Sequence, residues 1–201
     1  MKTIKKLGIC VSIIIALVLC MMHFSGCNTI ENVTNSGSRL IVMDIVGTDL
    51  TGNQKSHTIF SDVATDEGSI ANDPATVSLS AQLLDPLDSS ATYYQDITVD
   101  QIDVEFSRSD GLNVQGKDVP YSFSQKCSVV VPIREIVALD FVLISHNAKL
   151  ESPLVELLAP SKEILKLEAK ITVHGKDGAG RRVQPAVGYI SVWCSNFADP
   201  E

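Results

Sequence analysis

One stretch of the chain decides the fold: LKLEAKITVH, residues 165–174. Apolar and polar residues alternate through it without interruption, and successive side chains of a β-strand point to opposite faces of a sheet. We therefore predict a strand with one buried face and one solvated face. The next residues, Lys176-Asp177-Gly178-Ala179-Gly180, are typical of a hairpin turn, so the return strand should reach Cys194.

The period of two recurs in residues 77–83 and 121–131, whereas residues 40–46 carry apolar side chains on both faces. Together with the turn signals between them, these patterns predict further strands over residues 40–46, 57–64, 77–83, 121–131 and 136–144. The last of these is almost entirely apolar, which indicates a central strand. In residues 97–106 the apolar phase slips by one position near Asp100-Gln101. A β-bulge there would return all the apolar side chains of that strand to one face.

These strands predict an all-β protein: an antiparallel β-sandwich of the immunoglobulin-like or fibronectin-like kind. About 7–9 strands are expected, after an N-terminal signal helix. Residues 171–190, with their Lys176–Gly180 turn, resemble the last hairpin of bacterial Ig-like repeats. A second resemblance, to an uncharacterised lipoprotein family of deltaproteobacterial type, rests on Tyr93-Tyr94-Gln95-Asp96, Val119-Pro120-Tyr121-Ser122-Phe123 and residues 148–154. That family implies no activity.

The N-terminus carries a targeting pattern. Three lysines precede the apolar run of residues 7–22, and Phe24-Ser25-Gly26-Cys27 follows it. The run is short for a membrane-spanning helix, which needs about 20 apolar residues, and suits a secretory signal. The segment resembles the signal peptide and lipobox of a bacterial lipoprotein, although lipoboxes usually have Leu where Phe24 stands. The resemblance implies cleavage between Gly26 and Cys27, a diacylglycerol thioether on Cys27 and an acyl chain on its amino group. The alternative is an uncleaved membrane anchor.

These features divide the chain into a signal peptide (1–26), a flexible polar tether (27–38) and a β-sandwich domain (39–201). Removal of the signal leaves 13 basic and 24 acidic residues, a net charge of −11 with neutral histidines. Such acidity argues against nucleic acid or an anionic membrane face as a partner. Asn28 stands where an Asp would resemble an inner-membrane retention signal, so we expect the outer membrane, facing the periplasm or the cell surface.

Two cysteines remain in the domain, Cys127 and Cys194, both on the apolar phase of predicted strands. In an oxidising compartment they could be two buried thiols or a disulfide across the core. Three acidic residues, Asp100, Asp103 and Glu105, could share the polar face of one strand. Carboxylate oxygens suit Ca²⁺, but the chain has no fixed Ca²⁺-binding loop, so a solvated outer face is the alternative.

No pattern in the chain points to catalysis. A nucleophile elbow, a phosphate loop, a dinucleotide fingerprint and a haem-attaching motif are all missing from the sequence. We therefore expect no enzyme and no obligatory cofactor. The expected function is a structural or interaction domain, anchored in the envelope, that binds another envelope protein or a glycan. The alternatives are a Ca²⁺-stabilised adhesin-like module and an envelope hydrolase.

Overall fold

The computed structural model describes residues 36–48, 55–65, 68–85, 87, 92–158 and 163–197. The predicted signal peptide, the lipobox and residues 27–35 of the predicted tether lie outside this part of the chain. The predicted boundary at residue 38 is too late. Ser36 and Ser38 are both buried: the Ser36 amide donates to the Arg182 carbonyl oxygen at 3.2 Å, and the Ser38 hydroxyl donates to the Gln95 carbonyl oxygen at 2.8 Å.

Nine strands are present in the described residues. They are β1 (Ser38–Thr48), β2 (Lys55–Ser56), β3 (Thr58–Asp62), β4 (Asp73–Leu83), β5 (Ile97–Ser107), β6 (Phe123–Val131), β7 (Ile136–Ile144), β8 (Leu165–Asp177) and β9 (Ala186–Ser195). Helical structure in the described part of the chain consists of 3-10 turns at Tyr93–Gln95 and Leu154–Leu158 and the single-turn helix α1 (His146–Lys149), which Ser145 caps through its side chain.

The strands form two sheets with the orders β2-β1-β4-β7 and β3-β9-β8-β5-β6. The predicted all-β sandwich is therefore confirmed. Strands β1, β4 and β7 occupy the A, B and E positions of an immunoglobulin-like sandwich, and β6, β5, β8 and β9 occupy C′, C, F and G. One pair departs from the antiparallel prediction: β3 runs parallel to β9. The chain changes sheets between β2 and β3, at His57.

The core consists of the inner faces of both sheets, and the predicted bulge in β5 is confirmed. The register of β5 shifts between Val99 and Gln101 against both of its neighbours. As a result the apolar side chains on both sides of the shift are buried: Ile97, Val99, Ile102, Val104 and Phe106.

The prediction that residues 136–144 form a central strand is wrong. Strand β7 lies at the edge of its sheet and pairs only with β4 among the described strands. Leu139, Phe141 and Leu143 face the core, whereas Ile136 at the strand's start is 65% exposed. A continuous apolar run does not distinguish a central strand from an edge strand, because it carries no information about neighbours.

Different connections lie at the two ends of the sandwich. At one end, which we call the Ser36 end, the chain enters β1 and the β4–β5, β6–β7 and β8–β9 connections lie together. Two hydrogen bonds join these segments: Leu84 N donates to the Gly37 carbonyl at 2.9 Å, and Gly178 N donates to the Asp96 carbonyl at 3.0 Å. At the opposite end, the Lys149 end, lie α1, the Leu154–Leu158 turn and the β5–β6 connection.

Candidate functional site

The predicted lipidation site, Cys27 with Gly26 before it, lies outside the described residues, so it stays a prediction. Among the residues that the structure does describe, no helix is long and apolar enough to cross a membrane.

The acidic residues of β5 are paired with basic side chains of β8. Asp100, Asp103 and Glu105 do share the outer face of the sheet, as predicted, but each faces a cation or imidazole across the strand pair. The pairs are Lys176 with Asp100 (3.3 Å), His174 with Asp103 (2.7 Å) and Lys170 with Glu105 (2.9 Å). Burial alone would raise the pKa of Asp103, but hydrogen bonds from Ser124, Gln101 and His174 hold it below its ordinary value.

This pairing leaves the predicted Ca²⁺ site without support. A bound Ca²⁺ would have to displace these basic groups, because it needs six to eight oxygen ligands. The described part of the chain contains no group of three His, Cys, Asp or Glu residues placed to hold a metal ion. The outer face of β5 and β8 carries cross-strand pairs, two of them between lysine and a carboxylate and one between His174 and Asp103.

The two cysteines are free thiols, and the cross-core disulfide is wrong. Cys127 lies on β6 and Cys194 on β9, and β5 and β8 separate these strands within one sheet. Three strand spacings amount to about 14 Å, twice the Cα separation that a disulfide can bridge. Cys194 is fully buried, and burial raises the pKa of its thiol to about 12.

A buried polar cluster fixes α1 to the sandwich at the Lys149 end. Lys149 is 2% exposed, and its Nζ donates to Asp73 Oδ1 at 2.8 Å and to the Asp62 carbonyl oxygen at 2.6 Å. The Ser61 hydroxyl donates to Asp73 Oδ2 at 2.5 Å. Burial raises the pKa of Asp73 even though Lys149 and Ser61 act in the opposite direction. The cluster is enclosed and hydrogen-bonded, which suits a structural ion pair better than a site that receives substrate.

One side of the sandwich is closed by a side chain. The amide of Gln125 on β6 donates from Nε2 to the Val142 carbonyl oxygen at 2.6 Å and accepts from Val142 N at 3.0 Å. It satisfies the backbone of β7 as a neighbouring strand would, so the edges of the two sheets are joined here.

The other side of the sandwich is open, and it forms the candidate site. A groove with a volume of about 380 Å³ lies between β1 and β9; we call it the β1–β9 groove. Its lining comprises Val42, Met43, Asp44 and Ile45 from β1, His57, and Val187, Gly188 and Tyr189 from β9. Three of these apolar or aromatic side chains are exposed: Met43 (53%), Val187 (43%) and Tyr189 (59%).

The groove exists because two local features bring β1 close to β9 without pairing them. The register of β1 against β4 shifts at Met43, which makes this residue the extra one of a bulge. Gly188 faces Val42 and Ile45 so closely that an added Cβ would lie 2.7 Å from Ile45 Cδ1. Any side chain at Gly188 would require the side chains of Val42 and Ile45 to move, so glycine here permits the close approach of β1 and β9.

The backbone of β9 is unpaired along this groove. Strand β3 pairs with β9 only from Ser191 onward. The Ser195 carbonyl points to that edge, since it accepts from Val63 N at 3.0 Å. Because backbone groups alternate in direction along a strand, the N–H and C=O of Val187 and Tyr189 point to the same edge. Within the described residues no neighbouring strand reaches them.

The sequence did not indicate this groove. It predicted strands near residues 40–46 and 189–194, but an open edge depends on which strands are neighbours. The one sequence signal near it is Asp44, the single charged residue within the apolar run of residues 40–46.

No protein-family model matches the chain. No curated protein matches it either.

Proposed function

We propose that the protein is a lipid-anchored envelope lipoprotein whose sandwich domain binds a partner protein without catalysing a reaction. The observation that best supports the binding role is the β1–β9 groove, where exposed Met43, Val187 and Tyr189 flank an unpaired strand edge. The anchor is Cys27, held in the outer membrane, with the domain facing the periplasm or the cell surface.

The bound segment would be an extended peptide of another envelope protein. Such a peptide adds as a strand to a sheet edge: backbone hydrogen bonds provide affinity, and side chains on alternate residues provide specificity. Val187 and Tyr189 offer one N–H and one C=O each, about 7 Å apart along the strand. Apolar side chains at alternate positions of the peptide would contact Met43 and Tyr189.

Two features of the domain favour the groove over the edges at β7 and β6. On β7, the backbone N–H and C=O of Val142 are already hydrogen-bonded to the Gln125 side chain. Strand β6 places Lys126 on its outer face, hydrogen-bonded to Gln101, and charged residues on an edge strand discourage pairing.

The experiment is an affinity capture from the native envelope with the lipidated protein. Val187→Pro removes the N–H that an added strand would bond, and proline is tolerated at strand edges. Val187→Ala is the matched control, because it shortens the side chain and keeps the N–H. We expect wild type and Val187→Ala to recover the same stoichiometric partner and Val187→Pro to lose it.

A Cys27→Ser form that lacks the signal peptide separates binding by the domain from binding through the membrane. Recovery of the partner by this soluble form supports the domain as the binding element. Equal recovery by Val187→Pro and Val187→Ala would refute strand addition at the groove.

A further inference from the structure

The position of Ser36 determines which end of the sandwich lies nearest a lipid on Cys27. The Ser36 amide is bonded to the Arg182 carbonyl, so the chain reaches the domain at the Ser36 end. Eight residues separate Cys27 from Ser36. The nine Cα-to-Cα steps from Cys27 to Ser36 span at most about 32 Å. Strand β5, with 11 residues, extends about 34 Å, so Cys27 cannot reach as far as the Lys149 end along the sandwich.

The Ser36 end exposes large apolar and aromatic side chains. Leu87 is 90% exposed, Tyr93 is 68%, Leu84 is 60% and Tyr94 is 52%. The rings of Tyr93 and Tyr94 lie 4.0 Å apart between centroids. Tyrosine is enriched at the membrane–water interface, where its ring contacts the acyl boundary while its hydroxyl stays hydrated.

The two tyrosines are held rigidly against the β8–β9 turn. Gly178 packs against their backbone: a Cβ there would lie 2.6 Å from the Tyr93 carbonyl oxygen. Asp177 fixes that turn, since its carboxylate accepts from Ala179 N (3.1 Å), Arg181 N (2.9 Å) and Arg181 Nε (2.8 Å). The backbone of the two tyrosines is therefore fixed against the turn, which reduces the entropic cost of presenting their rings to a surface.

Charge at this end also permits contact with a bilayer. The domain as a whole is acidic, but at this end Asp177 is paired with Arg181, and among the described residues the exposed Arg134 and Arg182 match the exposed Asp85 and Glu135 in number. The cross-strand acids Asp100, Asp103 and Glu105 lie on the face of the sheet and not at its end.

We propose that the Ser36 end rests on the surface of the bilayer that holds Cys27, with Leu87, Tyr93 and Tyr94 at the interface. This proposal depends on the lipid anchor of the proposed function. It fixes the orientation of the domain, with the strands rising from the membrane and the Lys149 end outermost. A short tether gives this surface an effective concentration of about 1 mM at the bilayer, so a surface with an intrinsic Kd of about 1 mM would be in contact about half of the time.

The test uses tryptophan quenching by lipids with brominated acyl chains. The full lipidated protein is reconstituted in neutral phosphatidylcholine vesicles, with and without bromine. Trp193 is the chain's one tryptophan and lies toward the Lys149 end of β9, so wild-type emission should be unchanged by bromine. In a Trp193→Phe background, Tyr94→Trp should lose emission in brominated vesicles relative to unbrominated ones, by up to about half for a surface in contact half of the time. Tyr121→Trp on the β5–β6 connection, at a residue 56% exposed, is the matched control and should lose none.

The outcomes are distinguishable. Protein that does not float with the vesicles refutes the anchor and, with it, the proposed function. Protein that floats while Tyr94→Trp is unquenched, or while Tyr121→Trp is quenched equally, overturns the orientation alone. Should Tyr94→Trp fail to fold, Leu87→Trp replaces it, because a side chain that is 90% exposed tolerates the larger ring.

Discussion

Replacement of Lys149 by methionine should destabilise the domain strongly. Methionine keeps the apolar stem but leaves the Asp73 carboxylate without the ammonium group 2.8 Å away. Breaking a buried ion pair from one side costs about 3–5 kcal/mol. The Asp73 side chain keeps 18% of its surface exposed, so we expect the lower value, about 3 kcal/mol. For a domain of this size that corresponds to a fall in Tm of about 6–12 °C.

The loss should depend on pH. Burial already raises the pKa of Asp73 above its ordinary value, and removal of Lys149 takes away the largest influence that lowers it. When the pKa of a carboxyl group is higher in the folded than in the unfolded state, its contribution to stability is largest at a pH below the pKa of the unfolded state. This contribution is lost as the pH rises through the pKa of the folded state. The deficit of Lys149→Met should therefore be small near pH 4 and grow toward pH 7.

The assay is urea unfolding of the soluble chain that begins at residue 28, at several pH values. Lys117→Met is the control, because Lys117 is exposed and its replacement should change stability by less than about 0.5 kcal/mol. Adding Asp73→Asn to Lys149→Met removes the stranded charge and should recover part of the loss. The reasoning is refuted if Lys149→Met is as stable as the control, or if its deficit shrinks as the pH rises.

Three further results are expected. At pH 8, a thiol reagent should modify half-buried Cys127 in the folded protein and reach Cys194 only on unfolding, and oxidation should link neither to the other; a native Cys127–Cys194 disulfide would contradict the strand order. Gln125→Ala should cost about 1–2 kcal/mol and speed hydrogen exchange at the Val142 amide, which loses its bond; unchanged exchange would show that Gln125 does not close this side. Millimolar Ca²⁺ should raise the Tm no more than Mg²⁺ does. A Ca²⁺-specific increase would support the predicted metal site, which the contact between Asp103 and His174 argues against.

Local patterns were sufficient to predict the strands and their inward faces. Residues 165–174 show the reason: buried positions of β8 alternate with more exposed ones, and apolar and polar residues alternate in the sequence with the same period. The bulge in β5 was predictable in the same way. The apolar phase slips between Val99 and Ile102, and without an extra residue in the strand these two side chains would point to opposite faces.

Properties that depend on neighbours were not predictable. The apolar run of β7 fits an edge strand as well as a central one, and the separation of Cys127 from Cys194 follows from the order of four strands. The acids of β5 were visible in the sequence, but their basic partners on β8 are about 65–76 positions away and meet them only through the register of the pair. The β1–β9 groove was not predictable either, because it depends on which strands are neighbours.

The anchor at Cys27 is the claim on which both the envelope location and the orientation of the domain depend. Mass spectrometry of the N-terminal peptide of the native protein tests it most directly. The account predicts a chain that begins at Cys27, with a diacylglycerol thioether on its sulfur and an acyl chain on its amino group, and a Cys27→Ala variant that retains residues 1–26. A chain that begins at Met1 with a free Cys27 thiol, or a Cys27→Ala variant cleaved as efficiently as wild type, would contradict it.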